Sequence, residues 1–166
     1  MHRSRLIQIT ALILSLSAIS VTAGDWTNKI PDSARIALEK PEQFELLSLD
    51  PNRYPNHRPK EEFHGWRILG SMTVKDAESQ NELVTALKKC VEENKGMAKS
   101  CFNPRHGIRV TRDGKTNDLA ICFECARVLA FERGKDEKPD LFFVTGSAQP
   151  LFNRTLMKRN IPLAGR

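Results

Sequence analysis

The sequence lacks the features by which several functional classes are recognised. It contains no Gly-rich phosphate loop, no nucleophile elbow and no pair of carboxylates of the glycosidase type. It has no internal repeat, no low-complexity tract and no long block of charges of one sign. A nucleic-acid interface needs a concentrated basic patch, so interspersed charges with a net charge of +6 do not predict a nucleic-acid partner.

The long apolar run of the chain lies at its N-terminus. Arg3 and Arg5 precede a mostly apolar stretch over residues 6–21, and small residues stand at the two positions of Val21-Thr22-Ala23 that a signal peptidase reads. This pattern predicts a signal peptide over residues 1–23 rather than a retained anchor. No cysteine follows the cleavage site, so a lipid anchor is not predicted. We expect an exported protein, periplasmic or secreted, without a stable membrane span after signal cleavage.

The remaining residues, 24–166, are enough for one domain with a real core. Paired hairpin strands with two main helices favour the α+β class over alternating βαβ units. We predict a single mixed or mainly antiparallel sheet of about five strands, with the two main helices packed on one face. Residues 24–41, which include one short helical stretch, and residues 51–62, which are rich in proline and charge, are predicted to be loosely ordered.

A two-residue turn signal lies in the cysteine-rich part of the chain. Asp113-Gly114 lies between two alternating segments, and such a pair predicts a type I′ hairpin turn. In this register Ile108 faces Leu119 and His106 faces Ile121. One face of the hairpin is then apolar and the other polar, which is typical of a sheet that is covered on one side.

Three of the four cysteines lie in this hairpin, and exported thiols tend to pair. The register places Cys101 next to Cys125, so a structural Cys101–Cys125 disulfide is the favoured pairing, with Cys101–Cys122 as the second. Cys122 and Cys125 would be about 10 Å apart on one strand, too far for a disulfide unless the strand breaks between them.

Two reactive interpretations of the same residues stay open. Three thiolates and one imidazole, from Cys101, His106, Cys122 and Cys125, are a common zinc ligand set, although the strand would have to kink after Cys122. A redox pair of thiols normally lies at a helix start, whereas Cys122 and Cys125 end an alternating strand. Haem attachment is not predicted, because Ala126 stands where a histidine would follow.

The polar face of the hairpin is a candidate for binding an anionic group. Arg105, Arg109 and Glu124 share this face with Asp118 in the predicted register. The alternative, which we favour, is a solvated ladder of cross-strand charges that contributes tenths of a kcal/mol per pair.

The chain resembles an uncharacterised family of small exported bacterial proteins at residues 101–109 (C-F-N-P-R-H-G-I-R), 113–125 (D-G-K-T-N-D-L-A-I-C-F-E-C) and 63–70 (F-H-G-W-R-I-L-G). The similarity extends to G-S-A-Q-P-L-F-N at residues 146–153. It implies no activity. It does imply a shared centre, formed by Cys101, Pro104, Arg105, His106, Cys122 and Cys125, and it leaves Cys90 as an incidental buried thiol.

Two functions are therefore predicted as alternatives. The leading one is an exported, non-enzymatic structural or binding module of unknown ligand, without a cofactor, centred on the cysteine-rich hairpin over residues 101–125. The other is a metal- or thiol-dependent enzyme that uses Cys101, His106, Cys122 and Cys125, with zinc as the metal.

Overall fold

The computed structural model of the protein describes residue 26, residues 29–53 and residues 61–165. The predicted signal peptide and residues 54–60 of the predicted loop lie outside the described residues. In chain order the elements are α1 (Asp32–Glu39), β1 (Gln43–Arg53), β2 (Glu62–Phe63), β3 (Trp66–Thr73), α2 (Ala77–Glu93), β4 (His106–Arg112), β5 (Lys115–Cys122), β6 (Arg127–Glu132), β7 (Asp140–Phe143) and α3 (Gln149–Met157).

The strands form one antiparallel sheet in the order β2-β3-β1-β4-β5-β6-β7. Strands β4 and β5 are joined by the predicted turn, where Asp113 has a φ of 49° and Gly114 a φ of 71°. Both angles lie in the left-handed region that a type I′ hairpin requires. Ile108 pairs with Leu119 as predicted, and both side chains are fully buried. The α+β class and the register of the central hairpin are thus confirmed.

Helices cover one face of this sheet. Helix α2 begins at a side-chain cap, because the Asp76 carboxylate accepts a hydrogen bond of 2.8 Å from the backbone N–H of Ser79. Apolar side chains of the three helices pack with inward-facing side chains of the strands. The large members of this core include Leu38, Phe44, Leu46, Leu83, Leu87, Ile108, Leu119, Ile121, Phe142, Phe152 and Leu156.

Over the described residues the structure has seven strands and three helices, where the sequence predicted about five strands and two main helices. The motif over residues 63–70 is divided between β2 and β3 at His64-Gly65, whose φ angles of 52° and 89° form a second two-residue turn. The short helix expected within residues 24–41 is α1. Strand β1 runs on through Asp50-Pro51-Asn52 to Arg53, because irregular pairing with β3 absorbs the extra residues.

The second face of the sheet is covered in part, so the prediction of a sheet covered on one side only is wrong. The turn at His64-Gly65 lies over β5 and β6: the imidazole stacks on Phe131 at 3.7 Å, and its Nε2 is 2.9 Å from the Asp118 carboxylate. A second apolar cluster is buried on this face, consisting of Leu47, Leu49, Phe63, Trp66 and Ala120. Among the described residues, none of the helices is long and apolar enough to cross a membrane.

Candidate functional site: three cysteines and a neighbouring cleft

The structure contains a disulfide between Cys122 and Cys125, which corrects the predicted Cys101–Cys125 pairing. Strand β5 ends at Cys122, and the chain then turns back over residues 123–126, where Ala126 has a left-handed φ of 58°. The turn shortens the separation of the two Cα atoms to 5.2 Å, within the range that a disulfide needs. The prediction failed because it extended the strand through Cys125.

Cys101 nevertheless lies where the hairpin register placed it. Its Sγ is 3.3 Å from the Sγ of Cys125, although Cys125 is already bonded to Cys122. Cys101 is an exposed free thiol, whereas Cys122 and Cys125 are each only 1% exposed. We call these three residues the three-cysteine centre. It holds an accessible thiol at van der Waals distance from one sulfur of a buried disulfide.

Backbone N–H groups contact both sulfurs of the disulfide. The N–H of Cys125 donates a hydrogen bond of 3.1 Å to Sγ of Cys122, and the N–H of Asn103 donates one of 3.4 Å to Sγ of Cys125. A hydrogen bond to a sulfur favours its thiolate form over its thiol form. The Cys125 N–H can therefore stabilise negative charge on Cys122 when the bond between the two sulfurs breaks.

His106 does not join the cysteines in the predicted zinc ligand set. It pairs with Ile121 and lies on the helix-covered face, whereas Cys122, one residue further on, belongs to the opposite face. Its Nε2 is 2.8 Å from Oδ1 of Asn153 in α3. Within the described ranges no grouping of three or more His, Cys, Asp or Glu residues could hold a metal ion.

The environment of His106 keeps its imidazole neutral. The ring is only 2% exposed and is contacted by Phe123 and Phe152 at centroid distances of 5.3 and 5.8 Å. Burial lowers the pKa of His106 to about 4, the hydrogen bond to Asn153 opposes this shift, and the positive charge of Arg105 adds to it. Because Asn153 Oδ1 is an acceptor, the neutral ring carries its proton on Nε2.

Arg105 and Glu124, two members of the predicted anion-binding face, line one cleft of about 420 Å³. Their closest charged atoms, Nη1 of Arg105 and Oε2 of Glu124, are 3.8 Å apart. The other lining residues come from β4, from the segment between β7 and α3, from α3 and from the C-terminal segment: His106, Gly146, Gln149, Pro150, Asn153, Leu163 and Ala164. We call this the Arg105 cleft.

Arg109, the third member of that predicted face, is engaged elsewhere. Its guanidinium donates to both carboxylate oxygens of Asp118, at 2.8 and 3.2 Å, and to Glu45 at 3.2 Å. Burial on its own would raise the pKa of Asp118, but hydrogen bonds from His64 and Arg109 and the charges of Arg109 and Arg133 lower it to about 2. This network is a buried cross-link between strands rather than the solvated ladder that the sequence favoured.

Two residues of these sites were missed by reasoning from the sequence. Asn153 is 47 residues from His106, and no local pattern connects them. His64 is 54 residues from Asp118, but the glycine that follows His64 is a turn signal that could have been recognised. Cys90 is fully buried, as expected; its Sγ lies 3.2 Å from Oγ of Ser147.

No family model matches the chain, and no curated protein or solved structure matches it. The family resemblance carried by the sequence motifs therefore stays a prediction.

Proposed function

We propose that this protein is exported and catalyses thiol–disulfide exchange through the three-cysteine centre. The single observation that supports this proposal is the distance of 3.3 Å between the free Cys101 sulfur and the disulfide-bonded Cys125 sulfur. Reacting atoms held about 3–3.5 Å apart are close to an attack geometry. A disulfide that only braced the fold would not need an exposed thiol at this position.

The exchange within the protein is balanced. The Cys101 thiolate attacks Sγ of Cys125, a Cys101–Cys125 bond forms and the Cys122–Cys125 bond breaks. Cys122 leaves as a thiolate, stabilised by the N–H of Cys125, and takes up the proton that Cys101 has released. No oxidant or reductant is consumed, and the disulfide now includes the exposed sulfur of Cys101.

The second stage transfers the disulfide to an outside thiol. That thiol attacks Sγ of Cys101, and Cys125 leaves as a thiol. A second outside thiol then attacks the mixed disulfide and releases Cys101. In total, two outside thiols are oxidised to one disulfide and the disulfide of the protein is reduced to two thiols. The same steps in reverse, with another disulfide-bonded molecule as the oxidant, regenerate the disulfide of the protein and reduce that molecule to two thiols.

A second candidate is the exported structural or binding module, in which the disulfide only stabilises the turn after β5. The burial of both bonded sulfurs, each 1% exposed, favours this candidate. The two functions differ in the role of Cys101, which is essential for exchange and dispensable for a structural disulfide.

The test compares reduction of the oxidised protein by 2-mercaptoethanol in the wild type and in Cys101→Ser, followed by alkylation and intact mass. Because the outside thiol reaches Cys101 and not the buried pair, we expect Cys101→Ser to be reduced about tenfold more slowly or worse. Acid-quenched peptide mapping of the wild type should find both Cys122–Cys125 and Cys101–Cys125 linkages. Cys90→Ser, which removes a fully buried thiol, is the matched control and should react like the wild type.

Equal reduction rates in the wild type and Cys101→Ser, together with a Cys122–Cys125 linkage alone, would contradict the exchange function. That outcome would establish the structural disulfide instead.

A further inference from the structure

A separate cleft of the protein is lined by an excess of positive charge. It has a volume of about 790 Å³ and lies between the end of β3, the start of α2 and the end of α3. The cations that line it are Lys75, Arg154, Lys158 and Arg159, and the acids are Asp76 and Glu82. We call it the basic cleft.

The four cations of the basic cleft are accessible and unpaired. All four side chains belong to exposed residues. Within the described part of the chain, none of them takes part in an ion pair. Of the two acids, Asp76 is committed to the backbone N–H of Ser79, which it caps. A cleft with an excess of one sign of charge attracts a ligand of the opposite sign.

The end of α3 accounts for three of the cations but not for the fourth. Arg154, Lys158 and Arg159 lie in the last turn of α3 or directly after it, where the helix dipole favours positive charge. Lys75 directly precedes Asp76, the N-cap of α2, where the dipole of that helix disfavours a cation. Helix electrostatics therefore does not explain why cations from two elements line the same cleft.

The apolar part of the lining is fixed by the core. Met72, Leu151 and Ile161 line the basic cleft and pack against the helix-covered core. Cγ2 of Ile161 lies 2.9 Å from the position that a Cβ on Gly70 would occupy, so the C-terminal segment packs directly on β3. The cleft is therefore formed before a ligand arrives, which lowers the entropic cost of binding.

We infer that the basic cleft binds a ligand that carries two or more phosphate groups close together. Two arginines offer planar forks of donors that fit phosphate oxygens, and two lysines add point charges. Four cations less two acids leave an excess of two positive charges, which a ligand with a single negative charge would not neutralise. A free polyphosphate and a phosphorylated lipid headgroup share this chemistry. The lining contains no cysteine, so the inference does not depend on the exchange function.

The experiment measures binding of tripolyphosphate by isothermal titration calorimetry, in the wild type and in variants of exposed residues. Arg154→Gln and Lys158→Gln should each weaken binding about tenfold, because each removes a charged hydrogen-bond donor. Glu82→Gln removes a negative charge from the same cleft and should strengthen binding, an effect that a damaged fold would not produce. Lys95→Gln, which removes an exposed lysine beyond the opposite end of α2 from Lys75, is the matched control and should bind like the wild type.

Two further probes identify the chemistry and the source of the phosphate groups. Citrate should bind more weakly than tripolyphosphate, because each carboxylate carries one charge and a terminal phosphate carries more. Sedimentation with vesicles of phosphatidylcholine, with and without phosphatidic acid, tests a lipid headgroup. Retention by phosphatidic acid that Arg154→Gln weakens would assign the lipid headgroup as the source, and binding of tripolyphosphate alone would assign a free polyphosphate.

Three results would overturn the inference. The first is that neither tripolyphosphate nor the phosphatidic acid vesicles bind, and the second is that citrate binds as tightly as tripolyphosphate. The third is that Lys95→Gln weakens binding as much as Arg154→Gln and Lys158→Gln do, since the anion would then respond to the net charge of the protein and not to the basic cleft.

Discussion

Acidification should destabilise this protein through a single buried histidine. In the folded chain His106 is 2% exposed, and its pKa is lowered from 6.5 to about 4, chiefly by burial. In the unfolded chain the imidazole titrates near 6.5. Above that pH both states hold the neutral ring, so His106 contributes no pH dependence. As the pH falls from 6.5 to 4, the imidazole becomes protonated in the unfolded state but stays neutral in the folded state. The free energy of unfolding therefore falls.

The size of this loss follows from the two pKa values. A pKa of about 4 against 6.5 corresponds to about 3 kcal/mol, all of it lost once the pH has reached about 4. This is a large share of the 5–15 kcal/mol that is typical of whole domains. The free energy of unfolding should therefore be measured by urea denaturation at a series of pH values from 7.5 to 4.

His106→Gln supplies the comparison, because glutamine does not titrate and its amide can still donate to Asn153. The variant should lack the part of the fall in stability between pH 6.5 and 4 that comes from His106. The carboxylates titrate in both proteins, so subtracting the curve of the variant from that of the wild type removes their contribution. His64→Gln, measured in parallel, isolates the other histidine within the described ranges. Parallel curves for the wild type and His106→Gln, or a His106 imidazole resonance that titrates near 6.5 in the folded protein, would refute the reasoning.

Three further outcomes are expected. Asp118→Asn should destabilise the protein by about 3 kcal/mol in urea denaturation, because it leaves the partly buried Arg109 with Glu45 as its remaining carboxylate. Asp113→Asn, at an exposed position, is the control and should change the stability by less than about 0.5 kcal/mol. Because the pKa of Asp118 is lowered to about 2, its contribution is complete above pH 3.8 and is lost as the pH falls through 2. A stability difference between the wild type and Asp118→Asn that already shrinks above pH 3.8 would contradict the network. The chain recovered from the envelope or the medium should begin at Gly24 by N-terminal sequencing, and a full-length cytosolic chain would rule out export.

The central hairpin could be predicted because its signals are local. Asp113-Gly114 specifies the turn, and the alternation of Ile108 and Leu119 with polar neighbours sets the face that is buried. The cap of α2 at Asp76 has the same local character. A turn type or a cap depends on a few adjacent residues, so these features follow from the sequence without knowledge of the tertiary contacts.

The disulfide and the second core depend on information that is not local. Whether Cys122 bonds to Cys125 depends on where β5 ends, and strand ends are the least certain feature of a sequence pattern. The burial of Asp118 depends on the turn at His64-Gly65, which reaches it from 54 residues away in the chain. A polar residue on a strand cannot reveal which distant turn will cover it.

The position of the three-cysteine centre explains how exchange could proceed without unfolding the sheet. Cys122 is the last residue of β5; it pairs with Arg127 of β6, and the residues of β5 before it pair with β4 through Ile121. Cys125 lies in the turn that follows, and Cys101 lies in the segment before β4. In the proposed mechanism the new disulfide joins the turn that holds Cys125 to the segment that holds Cys101. The released sulfur, that of Cys122, stays on β5, which is held in the sheet by β4 and β6. The released Cys122 thiol remains buried, so it is shielded from other oxidants until the disulfide forms again.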